Sequence, residues 1–527
     1  MKTTVLNHKD GSKDPIEGSF ELELADLKLN FGTPSFATTA DLKGRSFALL
    51  QLRAKNAVRA LLRSKDENLL LLCASSRVDQ LKLAADLVQE ISGREPCIAY
   101  APTRFELFGT KEDPGLASTD YIIVMPCTHL CDHPKWLGML DACLAQNKAM
   151  KLILCGDSAD CADLAMIWPS LDNALHADVV LEFPAQGSIN LMAELLASYM
   201  QELQVKPFDL PAVQLFCLWA ARQSGDKRWI GIPELKLKSL VGEADFYAKG
   251  SVISVKQVLK AIAATDFRVN YLAESELREH RDRQLLIATQ GAEIGQINGL
   301  SVVETYGSNY EFGEPVRITA TLRAGGEGDV IDIERKAELA GQIHAKAMMI
   351  INGYLTKEFG SEQPLPVSAS LVFEQSYSEV DGDSASLTGL CAVLSCLAGV
   401  PIRQDLAVTG AVDQFGHVQP VGGVNEKIEG FFRVCRLHGL SGSQGVVIPE
   451  SCVNQLVLRP AVEKAIAEGR FHIYTVNHVT QAIKLLTTVP WGNKEQEGSI
   501  CQRIVSRLEN ISMNGHSDRP WWKFWGD

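Results

Sequence analysis

Between about residues 45 and 185, short apolar runs alternate with stretches of helical period, and that alternation leaves few folds open. Asn68-Leu69-Leu70-Leu71-Leu72-Cys73, Tyr121-Ile122-Ile123-Val124-Met125, Lys151-Leu152-Ile153-Leu154-Cys155 and Val179-Val180-Leu181-Glu182-Phe183 are short, and most of them are apolar at almost every position. Strands with one wet face alternate polar and apolar residues, so unbroken runs mean burial on both faces. Ala48 to Ser64, Gln80 to Ile91 and Trp136 to Gln146 between them read as helices. Buried strands joined through helices form a parallel sheet. From Ile189 to about Ala264 the pattern is helical throughout, and strand signals return from Leu285 in Gly-punctuated hairpins to about residue 335. Helices then alternate with strands to about residue 487. The expected class is a multidomain α/β protein. Its parts are an N-terminal arm (1–40), an α/β sheet module (41–185), a helical domain (186–285), an α+β domain (286–490) and a C-terminal helix with an aromatic tail (491–527).

The 527 residues suffice for several real cores. A net charge of −13 argues against nucleic acid as the main ligand. No apolar secretory segment opens the sequence and no apolar run is long enough for a membrane span. Thirteen cysteines without framework spacing suggest reduced thiols, so the expected location is cytoplasmic.

Two positions carry chemistry. Ser384 lies in Val380-Asp381-Gly382-Asp383-Ser384-Ala385-Ser386, and Lys427 closes Pro420-Val421-Gly422-Gly423-Val424-Asn425-Glu426-Lys427. A serine hydroxyl barely ionises near neutral pH, so a nucleophilic serine needs a base beside it. A lysine serves if desolvation makes its amine neutral. Gly422-Gly423 ends a strand-like run, Asn425 reads as an N-cap, and Lys427 then falls in the first helical turn. The positive end of the helix dipole also disfavours the ammonium form. The pattern fits a Ser/Lys dyad.

With those residues in place, the stretch from about Gly295 to Leu486 resembles the proteolytic domain of Lon proteases (peptidase family S16), most closely the archaeal type (B type) and its bacterial relatives. The motifs come in order: Gly295-Gln296-Ile297-Asn298-Gly299-Leu300, Gly341-Gln342-Ile343-His344-Ala345-Lys346, Phe373-Glu374-Gln375-Ser376-Tyr377 before Gly382-Asp383-Ser384-Ala385-Ser386, Val408-Thr409-Gly410-Ala411-Val412, and the Lys427 segment. The spacing from Ser384 to Lys427 also matches. The resemblance implies that Ser384 attacks a peptide carbonyl and that Lys427 takes its proton and returns it to the leaving amine. It implies that the Thr409 hydroxyl holds the lysine amine. Asp383 matches the acidic residue beside the B-type serine and is expected to point away from the amine in an active state. Protein or peptide substrates and a homo-oligomeric ring, a hexamer in the family, are further implications.

Lon proteases place an AAA+ ATPase module before the proteolytic domain, and the element order from 45 to 265 resembles one whose chemistry is degenerate. The first buried run leads into Ala74-Ser75-Ser76-Arg77-Val78-Asp79-Gln80, with neither the glycines nor the lysine of a phosphate loop. Tyr121 to Met125 ends in Pro126-Cys127 where paired acidic residues would hold magnesium. The expectation is therefore no cofactor, with little basis left for binding ATP and Mg, and ATP-independent hydrolysis of unfolded or loosely folded proteins. The alternatives are an ATP-dependent Lon protease with an unusual nucleotide site and a non-catalytic adaptor of the same fold.

Three other features of the sequence invite a functional reading. Gly156-Asp157-Ser158-Ala159 repeats the nucleophile motif, but the same spacing lands on Gln201 without glycine context, so Ser158 is expected to start a helix. Cys127, His129, Cys131 and His133 alternate; on an extended strand they would span about 20 Å, too far for one zinc ion. No metal is expected there. Trp521, Trp522, Phe524 and Trp525 form an aromatic tail, folded back on its domain or against a partner.

Overall fold

The computed structural model describes residues 21–305, 307, 310–360, 365–376 and 381–517. The aromatic tail lies outside them, as do residues 1–20 of the arm. The chain divides into two compact units, Leu29–Asp266 and a second formed by the remaining residues on either side.

The first unit is built on a five-stranded sheet of order β2-β3-β4-β1-β5. Its strands are β1 (Leu69–Cys73), β2 (Cys97–Ile98), β3 (Ile122–Pro126), β4 (Lys151–Gly156) and β5 (Leu175–Asp178). Every pairing is parallel, as the unbroken apolar runs require. β4 is buried at every position. The fourth strand lies earlier than its apolar run suggested. The chain pairs with β1 through Leu175–Asp178, and Glu182–Pro184 (β6) turns away to pair antiparallel with Trp229–Gly231 (β7). The helical segment from Ile189 onward packs within this same unit rather than forming a compact body of its own. The first predicted helix is interrupted at Gln51, whose amide bridges both backbone groups of Val180 at 2.8 and 2.9 Å. Ser158 does open a helix, Ser158–Ile167, with Asp157 as its cap.

The second unit centres on a six-stranded mixed sheet of order β11-β10-β9-β13-β16-β17. After the short β8 (Ala292–Glu293) come β9 (Gln296–Thr305), β10 (Tyr310–Asp332) and β11 (Val367–Phe373). β12 (Ile402–Arg403) pairs with β8; β13 (Leu406–Val408) follows, and β14 (Ala411–Val412) pairs with β15 (Val418–Gln419). β16 (Gly445–Pro449) and β17 (His472–Val476) complete the sheet. β9, β13, β16 and β17 run parallel, while β10 runs the other way and pairs antiparallel with both β9 and β11.

Strand alternation splits the core. Leu406, Val408 and Val447 face one apolar layer, and Ala407, Val446 and Ile448 face the other. The first layer takes the Ser386–Ala398 helix, buried along its whole length. The second takes the Val424–His438 helix through Val424, Ile428, Phe431, Phe432 and Cys435. That helix lies unusually close to β10 because two glycines meet: a Cβ on Gly313 would stand 1.9 Å from the Glu426 carbonyl oxygen, and one on Gly430 would stand 2.2 Å from the Gly313 carbonyl oxygen. The lead-in belongs partly to this unit, since Leu22 N donates to Ile473 O at 2.8 Å. Among the described residues no helix is long and apolar enough to cross a membrane.

The glycine contact gives a prediction. Gly313→Ala forces the 424–438 helix outward and is expected to cost about 1–3 kcal/mol of stability, as overpacking does. A lower urea midpoint checks it; an unchanged midpoint means the helix moves freely.

Candidate active site

Helices on opposite sheet faces bring the two residues together at the carboxyl end of β13: Lys427 lies within one, and Ser384 just ahead of the other. Ser384 sits in the turn just before the Ser386–Ala398 helix. Its carbonyl accepts from Gly410 N at 2.8 Å, and Ser386 N donates to Asp383 O at 2.9 Å. Two buried hydroxyls fix the helix start to the strand end. Ser386 Oγ accepts from Val412 N at 3.0 Å, and Thr388 Oγ1 donates to Val408 O at 2.9 Å. Gly382 supplies φ +121°, a conformation side chains rarely adopt, two residues ahead of the serine.

Lys427 approaches from the other face. The helix cap differs from the sequence expectation: Gly423, in a left-handed conformation, is the N-cap, and Asn425 lies inside the first turn. The Asn425 side chain reaches outward instead, donating to Gln455 O at 2.8 Å and accepting from Val457 N at 2.7 Å. Asparagine competes for backbone partners wherever they stand, and a neighbouring loop offered them here. Lys427 is 3% exposed. Its Nζ donates to Thr409 Oγ1 at 3.2 Å, and Thr409 Oγ1 donates to the Ser384 carbonyl oxygen at 3.3 Å. Thr409 therefore links the amine to the backbone of the serine. Among the described residues no hydrogen bond joins the Ser384 hydroxyl directly to the Lys427 amine.

Burial pushes the Lys427 amine down to about 8, against opposing pulls from Cys452 and Asp383. Desolvation wins because the carboxylate of Asp383 stands in solvent, where its field is screened. Cys452 was not singled out from sequence. It is buried, its thiol donates to Val421 O at 3.6 Å, and burial raises its own pKa. The more that thiol is held in its neutral form, the weaker its pull on the lysine.

A cleft of about 240 Å³ opens beside Ser384, lined in part by Val302, Pro315, Val316 and Phe373. Glu314 also lines it, and burial beside Glu276 pushes that carboxyl up to about 7. Arg317, Glu374, Gln375 and Asp381 add polar groups, so the walls are mixed.

The other candidates disperse. Cys127–Cys131 is a short helix rather than a strand. His129 Nε2 bonds Pro102 O at 2.9 Å, and His133 Nδ1 bonds His129 O at 2.9 Å. One ring nitrogen of each histidine is thus bonded to a backbone carbonyl.

At this strand end the Thr409 hydroxyl joins the Lys427 amine to the backbone of Ser384. Residues 371–488 match the family model described as the Lon protease (S16) C-terminal proteolytic domain. A protein of Escherichia coli (strain K12) described as a Lon protease homologue is 39% identical over 383 residues, covering 71% of this chain and 65% of that protein. One from Haemophilus influenzae (strain Rd KW20), described likewise, is 34% identical over 456 residues, covering 85% of this chain and 74% of that protein. The archaeal Lon protease of Archaeoglobus fulgidus is 26% identical over 315 residues, covering 59% of this chain and 46% of that protein. The chain belongs to the Lon protease family. It spans just under two thirds of the length of the Escherichia coli relative.

Thr409→Val removes the acceptor that the charged form of Lys427 uses, a bond worth about 1.5–3 kcal/mol for a charged group. The lysine titration, followed by NMR of labelled side chains, is expected to fall below its starting midpoint of about 8. A midpoint that stays put would show that the hydroxyl does not hold the amine.

Proposed function

We propose that this chain is a Ser/Lys endopeptidase in which Ser384 is the nucleophile and Lys427 the general base. The observation that carries the reading is the buried amine, pushed down to about 8 and linked through Thr409 to the serine backbone. An unprotonated lysine at that position takes the Ser384 proton as Oγ attacks the peptide carbonyl carbon. Rotation of the serine side chain as substrate enters brings Oγ to Nζ; catalytic hydrogen bonds commonly tighten only in the complex. The carbonyl oxygen gains negative charge next to the N-terminus of the buried 386–398 helix, whose dipole favours it. Lys427 then passes its proton to the departing amine, leaving an acyl ester on Ser384. Water attacks the ester, Lys427 takes the proton of the water, and the serine is restored. Asp383 has a secondary place, its exposed carboxylate opposing the fall of the lysine pKa.

The substrates we infer are unfolded or loosely folded proteins, presented as extended chain to the cleft beside Ser384. We further infer that hydrolysis needs no ATP and that the Leu29–Asp266 unit is a degenerate AAA+ module. In a parallel sheet, ligands bind outside the carboxyl ends of the strands where the order reverses, here at the end of β1. Acidic groups occupy that position. Asp79 caps the Gln80–Ser92 helix through a bond from Lys82 N at 3.1 Å, and the Glu234 carboxylate accepts from the Asp79 backbone. Carboxylates at the helix N-terminus take the place a phosphate would need and repel it. A ring of identical chains, acting in a reducing compartment, completes the proposal; all thirteen cysteines are free thiols.

Ser384→Ala and Lys427→Ala are each expected to abolish casein cleavage while the circular dichroism spectrum is kept, since members of one acting unit fail together. Turnover by either variant, free of contaminating protease, removes the dyad. Wild-type cleavage is expected to be equal with and without ATP and magnesium. Stimulation by ATP, or micromolar binding of labelled nucleotide, would return the chain to the motor-driven type.

A further inference from the structure

Away from Ser384 and Lys427, three buried side chains converge with several of their polar atoms left without a hydrogen-bond partner. Asp332 ends β10, Glu334 lies in the next turn, and His344 lies in the first turn of the Gln342–Phe359 helix. They are 7%, 4% and 1% exposed. One ligand atom from each lies within 4.8 Å of the other two. Both Asp332 carboxylate oxygens, Glu334 Oε2 and His344 Nε2 are buried without a hydrogen-bond partner. His344 Nε2 comes within 3.2 Å of Asp332 Oδ2, yet the pair lacks hydrogen-bond geometry. Two carboxyl groups facing one imidazole in a buried site is a costly arrangement unless a proton or a metal cation is shared among them.

We propose that Asp332, Glu334 and His344 form a binding site for a divalent transition-metal cation, with zinc the best match. The donor set is one imidazole nitrogen and two carboxylate oxygens, a set that suits zinc and leaves a fourth position open. Tetrahedral bonds of about 2.0–2.1 Å place neighbouring ligand atoms roughly 3.3 Å apart, close to the His344–Asp332 separation. The ligands are also oriented from behind, as metal ligands usually are. The other Glu334 oxygen accepts from Phe373 N at 2.8 Å, and the His344 ring stacks edge-on against Phe373 with centroids 5.2 Å apart. Asp332 borders a cleft of about 740 Å³, which offers a route from solvent.

The ion's position gives it a task, and this part rests on the proteolytic reading above. Phe373 ends β11, from which the chain runs on toward Ser384. Asp381, three positions before Ser384, accepts from Ile343 N and His344 N at 3.1 and 3.2 Å. Glu334 and His344 thus touch the chain at Phe373 and at Asp381, both ahead of Ser384, and an ion joining them braces both contacts.

The test uses the full chain carrying Ser384→Ala, which cannot cleave itself, after chelator treatment and dialysis. Calorimetric titration with zinc is expected to show one ion per chain. His344→Gln and Glu334→Gln are expected to weaken binding more than about 100-fold, because losing even a second-shell partner costs about 10–100-fold. Cobalt substitution reports the donors in the unaltered site: weak visible bands without thiolate charge transfer support the three residues, whatever the variants do to folding. Zinc is also expected to slow hydrogen exchange at the Phe373 amide. No stoichiometric binding, equal binding by a folded His344→Gln chain, or a thiolate signature overturns the site. These readouts do not depend on catalysis, so failure of the Ser/Lys dyad would leave them standing and the reverse holds as well.

Discussion

Burying an ammonium ion costs several kcal/mol even after local relaxation, and at Lys427 that cost falls on the charged form alone. The neutral amine is what the surroundings accept, and neutrality is what a base needs. Each neighbouring feature follows from this constraint. Gly313 and Gly430 let β10 and the 424–438 helix close to backbone contact, which excludes water from the flank of the lysine. Cys452 supplies a partner that stays uncharged. Thr409 gives the amine one hydrogen bond without giving it a counter-ion. A carboxylate in place of Thr409 would satisfy the same donor and raise the pKa, which would defeat the base.

The sheet solves the matching problem of bringing a serine to that amine. Successive residues of a strand face opposite layers, so helices on the two faces cannot meet except where a strand ends. At the carboxyl end of β13, Thr409 and Gly410 receive both: the lysine through a hydroxyl and the serine through its carbonyl. The rigid parts lie directly behind this point. The 386–398 helix is buried throughout, and Ser386 and Thr388 lock its first turn to β13 and β14.

Much of this was legible in the sequence because the relevant signals are local. Unbroken apolar runs marked β1, β3 and β4 within a residue or two, and Gly422-Gly423 marked the helix that presents Lys427. Ordered motifs marked the family. What escaped depends on contacts distant in sequence. Asn425 had the composition of a cap, but only the tertiary structure shows the loop at 455–457 that captures its side chain. β5 came earlier than its apolar run because Val179 to Leu181 follows the strand and Val180 is held by Gln51. The Gly313–Gly430 contact joins residues more than a hundred positions apart, and no periodicity announces it. His344 was read as part of a motif, yet its carboxylate companions come from a strand end and a turn.

The central claim is that a desolvated Lys427 activates Ser384, and the rate at which Ser384 alone is acylated measures it without substrate unfolding or product release. An activated ester or fluorophosphonate applied across a pH series, with the adduct located by mass spectrometry, gives that rate. A Glu314→Gln chain run in parallel separates the carboxyl that titrates near 7 in the same cleft. The account predicts labelling at Ser384 that rises with pH through a single midpoint near 8, persists in Glu314→Gln, and disappears in Lys427→Ala. Labelling at another residue, or an unchanged profile in Lys427→Ala, would contradict it.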